Sequence, residues 1–370
     1  MSYIKLTAYS SLSLAFFLIF TTNCSDKSNQ NLFDIADKGR VYVNKSERNV
    51  TMKLLEEISE YTDADNNICP FTPRAGSICY KDSTIYVLVR YELSIIVFKL
   101  AEFTNGSKYI KYTQKVKGKA PNEFNTPFDI VYDNKRDLIY IADLNNFCIN
   151  FYNKDLHEID RVMLEIRPYK ISISDDYLYI TNYQYTISDY CVDRIDLNTR
   201  ELVKGLFLVS NKGSQLEKNT KNAVLILSIK DKTPLYVAAR QYPKFNLYFC
   251  NEDGVLKTFS SPSLYKKKVP KPKMIKVRGD RKIWGLNTFV SLDNSQNLIF
   301  ALTTNGWGEL AESKELERYI LIFDKDGNTL CEHKIIPYEG GENNICFDEK
   351  NNILYYFSPT GIKKYKLEYK

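Results

Sequence analysis

This sequence of 370 residues predicts an all-β fold: a six-bladed β-propeller of four-stranded blades, its ring closed by an N-terminal strand. Three observations carry the prediction. A phrase of strand, Asp, turn and strand recurs six times along the chain and each time runs on into a third apolar strand. The composition is that of a large β core, with 28 Tyr and 20 Phe but only 4 Met in a 44% apolar chain. The last unit stops one strand short at Lys370, while a strand-like segment ahead of the first unit has no unit of its own.

Taken in chain order, the first segment lies outside the fold. Lys5, an apolar run from Leu12 to Phe20, then Cys24 and a polar stretch are the parts of an export signal, with an apolar run too short to span a bilayer comfortably. Cys24 stands where a bacterial lipoprotein carries its lipidated cysteine. Thr22 fits the lipobox that this resembles, whereas Thr21 and Asn23 depart from it. The expected organisation is a signal peptide over 1–23, a lipid-anchored linker over 24–40 and the propeller over 41–370. A secreted protein or an uncleaved anchor is the alternative. Acyl chains would hold the domain at a membrane by roughly 0.8 kcal/mol per buried CH₂.

The next segment, "NVTMKLLEEISEY" (Asn49 to Tyr61), is the unassigned strand. It is expected to pair with the final unit, since an uncovered sheet edge is an aggregation hazard. Its "KLLEEIS" core also reads as a helical turn.

The six units follow. They pair Asp82 with Tyr86, Asp133 with Tyr140, Asp175 with Tyr179, Asp231 with Tyr236, Asp293 with Phe300 and Asp348 with Tyr355. Successive aspartates lie 51, 42, 56, 62 and 55 residues apart, the spacing of propeller blades and not of helical solenoids. Third strands run to Phe98, Phe151, Ile195, Phe249, Phe323 and Tyr365, and more polar segments such as "VLKTFSS" and "TLCEHKI" come fourth. Inner strands wedged between blades must be apolar, while the outermost meets water. The recurrent aspartates are expected to be structural, each carboxylate taking backbone N–H groups of its turn.

"GKAPNEFNTPFDIVYD" with "LIYIADLNNFCINFY" in the second unit resembles the NHL-type repeat, in which G-x-G-x-x-E-F precedes Pro, a strand and Asp. Ala120 replaces the second glycine. Over roughly residues 40 to 370 the chain is similar to the six-bladed, TolB-like propeller lipoproteins of Gram-negative envelopes. That resemblance implies an exported propeller of the cell envelope, in a family mostly of unassigned function, and an outer-membrane location.

The remaining residues bound the chemistry. A net charge of +6 is a mild excess that does not by itself argue for nucleic acid, which usually needs a clustered basic face, so nucleic acid is not an expected partner. Seven cysteines follow Cys24 without paired spacing and read as buried thiols, a Cys69–Cys79 bridge being the alternative. With only His157 and His333, one in a turn and one on a solvent-facing fourth strand, a zinc centre or Ser/His site is not expected, and there is no G-x-S-x-G phrase. No cofactor or metal is expected. The candidate ligand-binding residues are on the loops after second strands: Arg90, Tyr91, Asp143, Asn145, Asn182, Arg240 and Gln241. Arg with Tyr and Asn suits a carboxylate, sugar or peptide.

Two insertions complete the pass. Leu264 to Trp284 carries nine Lys or Arg and one acid. Its Lys266, Lys267, Lys268, Lys271 and Lys273 are candidates for an anionic surface, against a solvated connection. Phe300 to Phe323 spans 23 residues where Tyr140 to Phe151 spans 11, and its Trp307 is a candidate contact residue. The functional expectation is a monomeric, non-enzymatic binding or scaffolding propeller that meets a protein, glycan or anionic ligand through its axial loops. A calcium-dependent lactonase- or esterase-like hydrolase of the same fold is the alternative.

Overall fold

The computed structural model describes residues 41–71, 76–174, 176–182, 192–203, 224–228, 235–239, 246–251, 254–265, 274–277, 281–284, 289–304, 317–335, 344–358 and 360–370. Six antiparallel sheets make six blades. Their first strands are Gly76–Lys81, Pro127–Asp133, Pro168–Ile173, Val224–Ser228, Phe289–Asn294 and Asn344–Asp348. Each first strand packs on the first strands of the two neighbouring blades, and that of blade six packs on that of blade one. The fold is therefore an all-β, six-bladed propeller.

Blade two shows why the sequence folds this way. Leu138–Asp143 and Cys148–Asn153 are almost wholly buried, because both of their faces meet other blades. Tyr140, Ala142, Ile149 and Phe151 pack against Ile171, Leu178, Ile180 and Ile195 of blade three. The outer strand, Glu158–Met163, is mixed, with Ile159 and Met163 in solvent.

The "GKAPNEF" phrase ahead of this blade is a clamped turn. Gly118 N donates to Phe124 O at 3.0 Å, and the Glu123 carboxylate accepts Ala120 N at 2.8 Å. Arg161 on the outer strand donates to the carbonyls of Lys119 and Ala120 and pairs with Glu158 at 3.1 Å. A Cβ at position 118 would lie 1.8 Å from Glu123 Oε2. Gly118→Ala should therefore push Glu123 off Ala120 and cost about 1–2 kcal/mol, read as a lower denaturant midpoint at unchanged slope.

The segment Val50–Ile58 is a strand and not a helical turn. It is the outermost strand of the sixth sheet, antiparallel to Gly361–Tyr369 from Val50 opposite Tyr369 to Ile58 opposite Ile362. The chain reaches it along other blades. Val41–Tyr42 pairs in parallel with Gly254–Phe259, giving blade four a fifth strand, and Lys45 bridges to Thr329 of blade five. Beyond it, Glu60–Thr62 and Ile68–Pro70 form a hairpin tied to Lys108 of blade one.

Other expectations meet specific residues. The Lys-rich insertion includes a two-stranded hairpin, Met274–Val277 with Arg281–Trp284, where a plain connection was expected. Cys69 and Cys79 are both free thiols, so they form no bridge. His333 is half-buried instead of solvent-facing, its ring 5.3 Å from that of Tyr365, and burial pushes its imidazole pKa down. Among the described residues no helix is long and apolar enough to cross a membrane.

Candidate functional site

The innermost strands enclose an axial cavity of about 640 Å³. One end of it is a layer of polar side chains at equivalent places in five first strands: Ser77, Asp129, Lys170, Ser291 and Asn344. All five are buried. A polar side chain in such a position must find partners, since leaving one unpaired costs about 1–3 kcal/mol. Here the partners come from neighbouring blades. Asp129 accepts Ser77 Oγ at 2.6 Å, Lys170 Nζ at 3.1 Å and Ile171 N at 2.9 Å. Asn344 donates to Ser77 and accepts from Ser291. The chain of bonds thus joins blades five, six, one, two and three across the axis.

Two residues further along each strand, the alternation of a strand brings side chains back to the same face. That puts Cys79, Val131, Ser172, Asp293 and Cys346 on the cavity wall. The thiols of Cys79 and Cys346 are pushed well above the ordinary cysteine range, first by burial and then by nearby aspartates. They are held protonated, the form that is a poor nucleophile and a poor metal ligand. Asp293 is also pushed up, to about 7, by burial, although Asn294 N and Phe347 N donate to it at 2.9 and 2.5 Å. Solvent reaches it through the cavity that it lines. The cavity continues to the turns after the first strands, where Asn134, Gln296, Asn297 and Glu349 stand, and to Lys325 on the turn after the third strand of blade five.

Asp293 corrects one sequence expectation. Asp133 and Asp348 are turn residues as expected: Asp133 Oδ1 accepts Lys135 N at 2.8 Å and Asp348 Oδ1 accepts Asn351 N at 3.2 Å. Asp82 also lies in its turn, with a φ of 50°. Asp293 does not. It is paired with Phe300 within the sheet, so its carboxylate faces the axis. Asp175 and Asp231 lie outside the described residues.

Of the residues singled out from the second-strand loops, the described ones, Arg90, Tyr91, Asp143, Asn145 and Asn182, lie at the opposite end of the strands, away from the cavity, and none of these lines it. Second strands run antiparallel to first strands, so the loops that follow them return to where first strands begin. Arg90 lies with its guanidinium 4.1 Å from the Phe128 ring centre, and its neighbour Tyr91 is exposed. Asp143 is fully buried, and its carboxylate takes Asn125 N and Thr126 N at 2.8 Å and the Asn146 side chain at 2.9 Å. It organises its loop and offers nothing to a ligand. Asn145 donates to Thr126 Oγ1 at 2.6 Å, and Asn182 is buried. Arg240, Gln241, Trp307, Cys24 and the lysines Lys266, Lys267, Lys268, Lys271 and Lys273 lie outside the described residues. Among the described residues no three His, Cys, Asp or Glu side chains converge as metal ligands.

No family model matches the chain, and no curated protein matches it. Solved structures do. A Bacteroides fragilis protein named as exported superposes with a TM-score of 0.53 at 11% identity, over 89% of this chain and 98% of that one. A member of the duf4221 family from Bacteroides vulgatus gives a TM-score of 0.50 at 10% identity, again over 89% and 98%. At such identities the likeness is one of fold alone, and the architecture it shares with them is the propeller.

Proposed function

We propose that this chain is an exported propeller, held on the cell envelope through Cys24, that binds a small polar ligand in its axial cavity. The observation that carries the reading is the cavity itself: about 640 Å³, walled by strands locked between blades and ended by a hydrogen-bonded polar layer. Polar groups fixed on rigid strands bind with little ordering cost. The loop rim at the other end is a weaker candidate, because Asp143, Asn145 and the guanidinium of Arg90 are already engaged with their own or the next blade.

The test is thermal denaturation with a panel of mono- and disaccharides, amino acids and dipeptides, run on the protein and on Val131→Trp. The added indole would occupy the cavity that Val131 lines. A ligand at a hundred times its Kd stabilises by about 2.7 kcal/mol, a Tm rise of several degrees. At least one compound should raise the Tm of the parent and leave the variant unmoved. A panel without effect on the parent, or equal rises in both proteins, would sink the reading.

The anchor has its own test. Cys24→Ala should release the domain from membranes with its melting transition unchanged, because residue 24 precedes the propeller in sequence. A variant that still sediments with membranes and shows the mass of the uncleaved precursor would refute the lipid anchor.

A further inference from the structure

Among the described residues, Asp293 is a carboxylate with no cation paired to it. Its partners are two backbone amides, Asn294 N and Phe347 N. The strands that pack on Phe289–Asn294 are Leu298–Thr304, Asn344–Asp348 and Val224–Ser228. Their sequences, LIFALTT, NICFD and VLILS, contain no Lys, Arg or His. Among the described residues, the ionisable groups that feel its charge from those strands and from blade one are Cys346 and Cys79, neither of which carries positive charge. Further along the cavity wall, Lys170 is committed to Asp129 at 3.1 Å, and Lys325 and Glu349 stand on the turns at the mouth. A carboxylate has about four acceptor sites. Two backbone donors leave the cavity side of Asp293 to accept more.

We propose that Asp293 anchors a ligand bearing a primary ammonium group, with the polar remainder of that ligand on the amides of Asn294, Gln296 and Asn297 at the mouth. This rests on the reading of the cavity as a binding site and names the chemistry it selects. An ammonium provides the three donors and the counter-charge that the surrounding strands withhold. An uncharged hydroxyl in the same place would leave the ionised carboxylate without a counter-charge.

The experiment is calorimetric titration of the full chain with three probes: a 2-aminoethyl glucoside, its N-acetyl derivative and 1,4-diaminobutane. Both amines stay charged between pH 5.5 and 8, so a pH dependence in this range reports on the protein. The aminoethyl glucoside should bind, the acetylated one at least ten-fold more weakly. 1,4-Diaminobutane separates a requirement for the amine alone from one for amine and sugar together. Asp293→Asn should lower amine affinity ten-fold or more while keeping a cooperative melt. In the parent protein, amine affinity should fall as the pH drops from 8 to 5.5, because burial holds the Asp293 pKa near 7 and only its ionised form pairs with an ammonium. That arm stands even if the variant fails to fold. Equal binding of the amine and its acetylated form, or amine affinity indifferent to both pH and Asp293→Asn, would overturn the inference and leave the cavity a neutral polar site. No binding of any probe at millimolar concentration would overturn it too, while the wider panel still decides whether the cavity binds at all.

Discussion

A protein lacking residues 41–62 is expected to lose its cooperative unfolding transition or to become insoluble, and not merely to melt a few degrees lower. The deleted stretch is not a tail. Val50–Ile58 supplies the outermost strand of blade six, Val41–Tyr42 extends the sheet of blade four, and Asn44 and Ser46 exchange backbone hydrogen bonds with Thr329 of blade five. Val50 sits in the core between blades five and six, and Ile58 and Tyr61 in the one between blades six and one. Burying an aliphatic or aromatic side chain of this kind is worth roughly 1.5–3 kcal/mol, so three of them alone approach the whole net stability of an ordinary domain. Removing the strand would also bare the full length of Gly361–Tyr369, an edge with Ile362, Tyr365 and Leu367 along it. Calorimetry and a solubility assay decide the matter. A truncated protein with the parent's transition would show that the ring does not depend on its N-terminal strand.

The blade plan was legible because it is written in periodic apolar strands and turn residues, and each blade repeats the wording. The site was less so, for a physical reason visible in one comparison. Asp133 stands seven residues before Tyr140, and Asp293 stands seven before Phe300, so the two phrases look alike. In blade two the hairpin closes with Asp133 opposite Leu138. In blade five Ser295 N bonds Leu298 O, a tighter turn that draws Asp293 up the strand to face Phe300. Two residues of turn thus convert a structural aspartate into a cavity carboxylate, and spacing alone does not register the change. The polar layer left a fainter signal. Ser77, Asp129, Lys170, Ser291 and Asn344 each interrupt the start of an otherwise apolar first strand, a departure that recurs at the same place in five blades. The described loop residues lie apart from the cavity because the face that carries second-strand loops is not the face on which the cavity continues.

The second large effect is expected at Asp293 itself and is read from stability against pH. Burial raises its folded-state pKa from 3.8 to about 7. Between those values the unfolded chain has released this proton and the folded protein still holds it, so the unfolded state binds fewer protons and stability falls as the pH rises. The contribution is complete below about pH 4, is lost through pH 7, and is flat above. A rise of roughly three units corresponds to about 4 kcal/mol, and solvent within the cavity lowers this, giving about 2–4 kcal/mol. Other groups also titrate here, so the parent's profile alone does not isolate the effect; the difference from Asp293→Asn does. Asparagine keeps the shape and can still accept from Phe347 N, while its amide opposes Asn294 N, a cost of about 1 kcal/mol that does not vary with pH. Relative to the parent, the variant should therefore be less stable at pH 4 and gain about 2–4 kcal/mol by pH 8, measured by denaturant unfolding at the two values. A difference that stays constant across this range would mean that Asp293 ionises as freely in the folded protein as in the unfolded chain, and that the cavity around it is wetter than its packing indicates.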